Sequence, residues 1–331
     1  MKEKIALNAW EIVTEFSSLK KVNFFASFIG TFWLFLVLIY QITFTYIRIF
    51  QQKDRFIQIA FDFMHKTYFA EVLIGFGVFL LLYIMVAPLA EGAIIEMIHS
   101  YRRSNGEKRH RSLQGIFDGF RHFLPLFEVH NIVAIFRPLS IITFYILLLR
   151  LFGKEYFVSV TWAMGIYLLF AFFLNMCFAY AKFFIIFEGK PAIQSLSAST
   201  GMAVRHIGIT MQLYYTMILL YLRTLIVALI FLVLPFIISA IVAWFTIISV
   251  QIGLLIIFGI LCFVLFIVIV HLNSTLEIFI EATWYEAYQI CKKEDKEWDD
   301  EHGGHGHDEH GHSESHGHES AAHGKDEHAH H

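Results

Sequence analysis

The sequence predicts an all-α integral membrane protein with six transmembrane helices paired as three hairpins, and three observations predict it. From Ile207 to Val270 the chain carries one formal charge, Arg223. At 1.5 Å per helical residue that run measures about 96 Å, enough for two or three crossings of a hydrocarbon core about 30 Å thick. Hydrophobic residues make up 57% of the 331 and charged residues 16%, against about a quarter charged in soluble domains. The basic residues, finally, gather between the apolar runs rather than within them.

The N-terminal segment, residues 1–21, reads as an amphipathic helix lying on the membrane surface, with Ile5, Trp10, Ile12, Val13, Phe16 and Leu19 as its apolar stripe. The first span follows at residues 22–47, too long for the core of a cleavable signal peptide. Further spans fit 68–98, 132–152, 156–187, 207–240 and 247–280, within a membrane domain of residues 22–298. Pro235 is a candidate break in the fifth span, and the 207–270 run leaves two or three crossings open. Amphipathic cytoplasmic helices are expected near 111–127 and 190–205.

Lys20 and Lys21, then Arg102, Arg103, Lys108, Arg109, Arg111 and Arg121, then Lys190 and Arg205, fall on one side of this arrangement. The positive-inside rule makes that side cytoplasmic and puts both termini there, in a prokaryotic inner membrane. The opposite side holds Arg48, Lys53, Arg55 and Lys66, an opposing basic loop.

Each inward-running span closes on a glutamate: Glu91 in LAEG, Glu188 in IFEG and Glu281 in FIEA. Arg121-His122 and Arg205-His206 follow the first two, so the chain reads as a threefold hairpin repeat. A carboxylate at a helix C-terminus meets the negative end of the helix dipole and needs a cation or a continuing helix. One reading has Glu91, Glu188 and Glu281 ion-paired with Arg121, Arg205 or the Arg102-Arg103 pair; the other has them line a cation path or headgroup pocket, which Glu277, one turn before Glu281, would extend. Arg223 falls about 16 residues into the fifth span, where an arginine faces the bundle interior or snorkels to the surface. His271, Asn273, Ser274 and Thr275 interrupt the last span with polar groups.

The stretch FEGKPAIQSLSASTGMAVRH, residues 187–206, resembles the signature of the YciC-like and glycerophosphodiester phosphodiesterase membrane-domain family of six-span prokaryotic proteins. Ala192, Ile193, Ser197, Gly201 and Arg205 match its short helix, residues 92–123 are similar to its basic turn and aromatic amphipathic helix, and TWYEAYQ, residues 283–289, resembles its closing aromatic segment. The resemblance implies a fold and no reaction.

Residues 299–331 hold 11 of the 18 histidines among Gly, Ser, Asp and Glu, a composition that cannot bury a core and is expected to be disordered. His305, His307, His310, His312, His316 and His318 form HxH units suited to Zn²⁺, Ni²⁺ or Cu²⁺. The three cysteines lack CxxC spacing, and no Walker, dinucleotide, nucleophile-elbow or HExxH motif is present. The sequence therefore points to a non-enzymatic scaffold or accessory subunit that requires no cofactor and has no nucleic-acid partner. Its expected partners are the bilayer, anionic headgroups and another membrane protein or a second copy. A divalent-metal transporter or channel with a metal-capturing tail is the alternative, and a lipid-handling protein the third.

Overall fold

A computed structural model of the chain describes residues 2–49, 58, 61–104, 112–245 and 247–302. The elements are α1 (Lys2–Glu15), α2 (Ser17–Ile49), α3 (Phe69–Arg103), α4 (Ser112–Arg121), α5 (Phe123–Ala134), α6 (Pro138–Phe152), a 3₁₀ turn (Lys154–Tyr156), α7 (Phe157–Cys177), α8 (Ala181–Glu188), α9 (Ala192–Arg205), α10 (Ile207–Val242) and α11 (Ile248–His302). Among the described residues there is no strand. Lys108, Arg109 and Arg111 of the basic loop, Lys53 and Arg55, and the tail histidines from His305 to His318 lie outside the described residues.

Five stretches, Ser18–Thr43, Phe69–Arg103, Phe157–Glu188, Ile207–Val242 and Ile248–Trp298, are long and apolar enough to cross a membrane. A sixth joins them if α5 and α6, bent by 46° at their junction, count as one. The sequence placed an unbroken span at 132–152; the break falls just before Pro138, whose ring biases Arg137 to extended backbone (φ −70°, ψ 143°). Pro235 does not break its helix and lies inside the 36-residue α10. The 207–270 run folds as two helices, α10 and the first part of α11, rather than three.

The chain forms two units, residues 1–291 and 292–331. Within the first unit, the main core gathers α1, the start of α2, the ends of α3 and α11, α8, α9 and the first turns of α10. Ala93, Ile95, Phe183, Tyr288 and Cys291 are fully buried there. Away from this core end the helices expose apolar surface: only 6% of the most apolar window of α3, and 6% of that of α11, is buried. In water such faces would be untenable; in lipid they are ordinary. Within the second unit, the described residues continue as helix, with Lys293 3.5 Å from Glu297 one turn on.

The structure differs from the expectation for α1. Ile5, Ile12, Val13, Phe16 and Leu19 are buried, Phe16 stacks on Tyr101 at 5.4 Å, and of the predicted stripe only Trp10 stays exposed. The stripe packs on protein, because the ends of α3 and α11 supply a closer apolar surface.

Local chemistry explains the shorter helices. Ser199 of α9 accepts the Tyr180 N–H at 3.0 Å and donates to the Cys177 carbonyl at 2.6 Å, satisfying backbone freed at the break between α7 and α8. At the end of α8, Gly189 adopts φ +63°, and the bonds Gly189 N–H to Ile185 O and Lys190 N–H to Phe184 O close the helix. The amphipathic segment expected at 111–127 is split at His122 into α4 and α5. Gly115 and Gly119 let α4 approach α3 closely: a Cβ on Gly119 would meet the Ala93 backbone N at 2.5 Å.

Candidate functional site

Three helices distant in sequence each send one charged side chain to a common point. The Lys182 ammonium on α8 lies 2.9 Å from Glu91 Oε1 on α3 and 2.6 Å from Glu281 Oε1 on α11. These side chains retain 15%, 24% and 14% exposure respectively, so their attraction is little screened. Such ions cost much to desolvate and persist only when paired.

The cluster extends through α5. His130 Nδ1 is 3.6 Å from Glu91 Oε2 and 3.2 Å from Arg137 Nη2. A guanidinium N–H directed at Nδ1 needs the lone pair there, so that contact and an ion pair to Glu91 through the same nitrogen exclude each other.

One turn from Glu281, Glu277 is held by neutral donors. Asn23 Nδ2 reaches Glu277 Oε2 at 2.8 Å and the Ser274 carbonyl at 2.9 Å, and the Ser27 hydroxyl donates to the same carboxylate. Asn273 donates to Thr31 Oγ1 at 3.1 Å. Asn23, Ser27 and Thr31 recur every fourth residue, so they form one stripe of α2 facing the polar interruption of α11. Ser274 Oγ and Glu281 Oε2 are buried without a hydrogen-bond partner among the described residues.

Past the cluster, Arg102 bonds Glu286 at 2.7 Å and approaches Glu11 at 3.8 Å, while Asn8 donates to Glu286 at 3.1 Å. Tyr101 donates to Glu15. These contacts tie α1 to α3 and α11. His99, Phe183, Phe187, Tyr285 and Tyr288 interlock beside them, with His99 Nδ1 3.0 Å from the Tyr285 hydroxyl.

The predicted residues separate accordingly. Glu91, Glu277 and Glu281 share one neighbourhood, and the cation between Glu91 and Glu281 is Lys182. Glu188 lies elsewhere, 2.8 Å from Lys190 and accepting from the Tyr288 hydroxyl at 3.2 Å. Arg121 and Arg205 close α4 and α9 with exposed side chains. Arg223 is exposed too, two residues past Tyr221. It lies midway along the Ile207–Val242 stretch, three residues past Leu220, which packs against the main core. α10 is about 54 Å long, and its first turns, with Leu213 and Met217, belong to the main core. Lys182, His130, Arg137, Asn23 and Ser27 carry the site and were not singled out from the sequence.

Among the described residues no group of three or more His, Cys, Asp or Glu side chains is arranged to hold a metal ion. A cavity of about 190 Å³ between α3 and α4, lined by Glu96, His99, Arg103 and Asp118 among others, is smaller than common ligand pockets. At its edge His122 approaches Glu96 at 3.6 Å, yet burial, and then the Arg121 charge, hold the imidazole below its ordinary pKa. The chain matches no protein-family model, no curated protein and no solved structure.

Proposed function

We propose that the protein is a non-enzymatic, six-span scaffold or accessory subunit of a membrane assembly, related to the YciC-like group, with its core end and both termini in the cytoplasm. The observation that carries this reading is the seating of the Lys182 ammonium between Glu91 and Glu281. A transported cation at the glutamates would have to displace a covalently tethered one. The cluster suits a clamp that holds three helices together, and the tail would serve as a metal-chelating appendage.

Helix lengths support the placement in the bilayer. From Glu91 back to Phe69 is about 33 Å, and from Asn23 to Thr43 about 30 Å. Each matches one hydrocarbon thickness of about 30 Å. The charged layer then marks the inner edge of the hydrocarbon. Lys20, Lys21, Arg102, Arg103, Arg121 and Arg205 all fall at the core end, as a cytoplasmic face requires.

A second reading, a divalent-metal transporter, draws support from the spare oxygen of Glu281 and from Glu277, whose carboxylate is held by uncharged donors. Uptake of Zn²⁺, Ni²⁺ and Co²⁺ by liposomes containing the full chain separates the two. The scaffold reading expects no uptake above empty liposomes, and a native mass above that of one chain. Saturable uptake that falls in Glu91→Gln and Glu281→Gln would replace it with the transporter.

A further inference from the structure

One run of exposed apolar side chains at the core end lies along α4 and the start of α5. Phe117, Phe120 and Leu124, at helical spacing of three and four, are 75%, 63% and 64% exposed. The opposite side of α4 is spent on α3: the Gly115 and Gly119 sites abut Met97 and Ala93 with no room for a Cβ. Ile116 packs against the main core. The glycine face thus fixes which way the aromatic face points, away from the protein.

Two relationships identify what covers that face. Ala93 lies two residues past Glu91 and Met97 six, so α4 runs beside α3 within about 9 Å of the charged layer. Amphipathic helices bury their apolar faces within about 5–10 Å of the headgroup and acyl boundary. Beyond exposed Glu128 and Asn131, exposed apolar side chains resume at Ile132 and Ile135 and then at Ile142, Phe144 and Leu147 of α6, a helix in the apolar bent pair. Phe120 and Phe123 stack at 5.9 Å, and Phe123 meets Phe127 at 5.6 Å, making one aromatic ledge. Arg121, exposed on the border of the stripe, is placed to meet a lipid phosphate.

We infer that the Phe117, Phe120 and Leu124 face of α4 and α5 is inserted into the headgroup region of the cytoplasmic leaflet, so that α4 is clamped between α3 and lipid. The inference rests on the bilayer placement given above. It makes the segment a membrane-contacting element that would feel lipid packing and pass it to α3 through the Gly115 and Gly119 contacts.

The test uses the full chain in liposomes, with Cys262 replaced by Ala and single cysteines at 117, 120 and 124, then at 114 and 118, each bearing a fluorophore. Ile74 and Leu169, 68% and 73% exposed in the apolar windows, are the controls. Quenching by nitroxide lipids several-fold stronger at 117, 120 and 124 than at 114 and 118, with little quenching by aqueous iodide, is the expected result. Quenching by iodide at the stripe, or protection from both quenchers as a second protein copy would give, overturns the inference. Absence of lipid quenching at Ile74 and Leu169 would instead overturn the bilayer placement itself.

Discussion

Lys182 Nζ lies 2.6 Å from Glu281 Oε1, a contact that joins residues 99 positions apart and closes α8 on α11, while the same ammonium holds Glu91 of α3. Removing one partner of a buried ion pair costs more than removing both, because the survivor keeps its desolvation penalty. Lys182→Met strands two carboxylates and is expected to cost about 3 kcal/mol, the low end for buried pairs, because some exposure remains. Thermal unfolding in detergent checks this: a large fall in Tm is expected, with Lys182→Arg falling much less.

Close approach of α4 to α3 depends on Gly119. Gly119→Ala puts a methyl 2.5 Å from the Ala93 backbone N, which a side-chain rotation cannot relieve. A loss of about 1–3 kcal/mol is expected. Gly201→Ala, at an exposed helical site with nothing within 4 Å, is expected to gain about 0.5–1 kcal/mol. Parallel melting curves for the two variants decide whether the glycines act through contact or through backbone freedom.

His122 supplies a pH dependence with a definite sign. Its folded-state pKa is depressed, chiefly by burial and then by Arg121, so the fold favours neutral imidazole despite Glu96 nearby. Its contribution is present above the unfolded value of about 6.5 and is lost as pH falls through that range. Wild-type Tm is expected to drop further than that of His122→Gln between pH 7.5 and 5.5. Equal drops would show that His122 does not contribute.

The seam between α2 and α11 makes a smaller prediction. Asn23 bonds Glu277 and the Ser274 carbonyl from a site only 3% exposed. Asn23→Ala leaves both acceptors short and is expected to cost about 1–3 kcal/mol. Glu277→Gln keeps an acceptor for Asn23 and Ser27 and is expected to stay near wild type, which chemical denaturation of both variants tests.

Much of this was legible from residue patterns. The apolar runs located the long helices, and the glutamate that closes each of two spans, Glu91 and Glu281, does enter a shared cluster. Lys182 sits inside a span, so the clustering of basic residues in loops does not reveal it. It is the sole formal charge between Tyr156 and Phe187, and an ionisable group inside a span calls for a partner, an argument applied to Arg223 instead. For α1, periodicity shows which face is buried and says nothing about whether protein or lipid buries it. Pro138 is a local signal for the bend at Arg137 that the unbroken 132–152 span did not use; the break at 178–180 depends on Ser199, about 20 residues away, and no local signal announces it.

The most direct test of the clamp is the unfolding free energy of the triple variant Lys182→Met, Glu91→Gln, Glu281→Gln beside that of Lys182→Met alone. If the three charges serve to bind helices, removing all of them abolishes the stranded carboxylates, and the triple variant should recover most of the roughly 3 kcal/mol lost by the single one. A triple variant no more stable than Lys182→Met would contradict the account, since the cost would then not come from unpaired charge at this cluster.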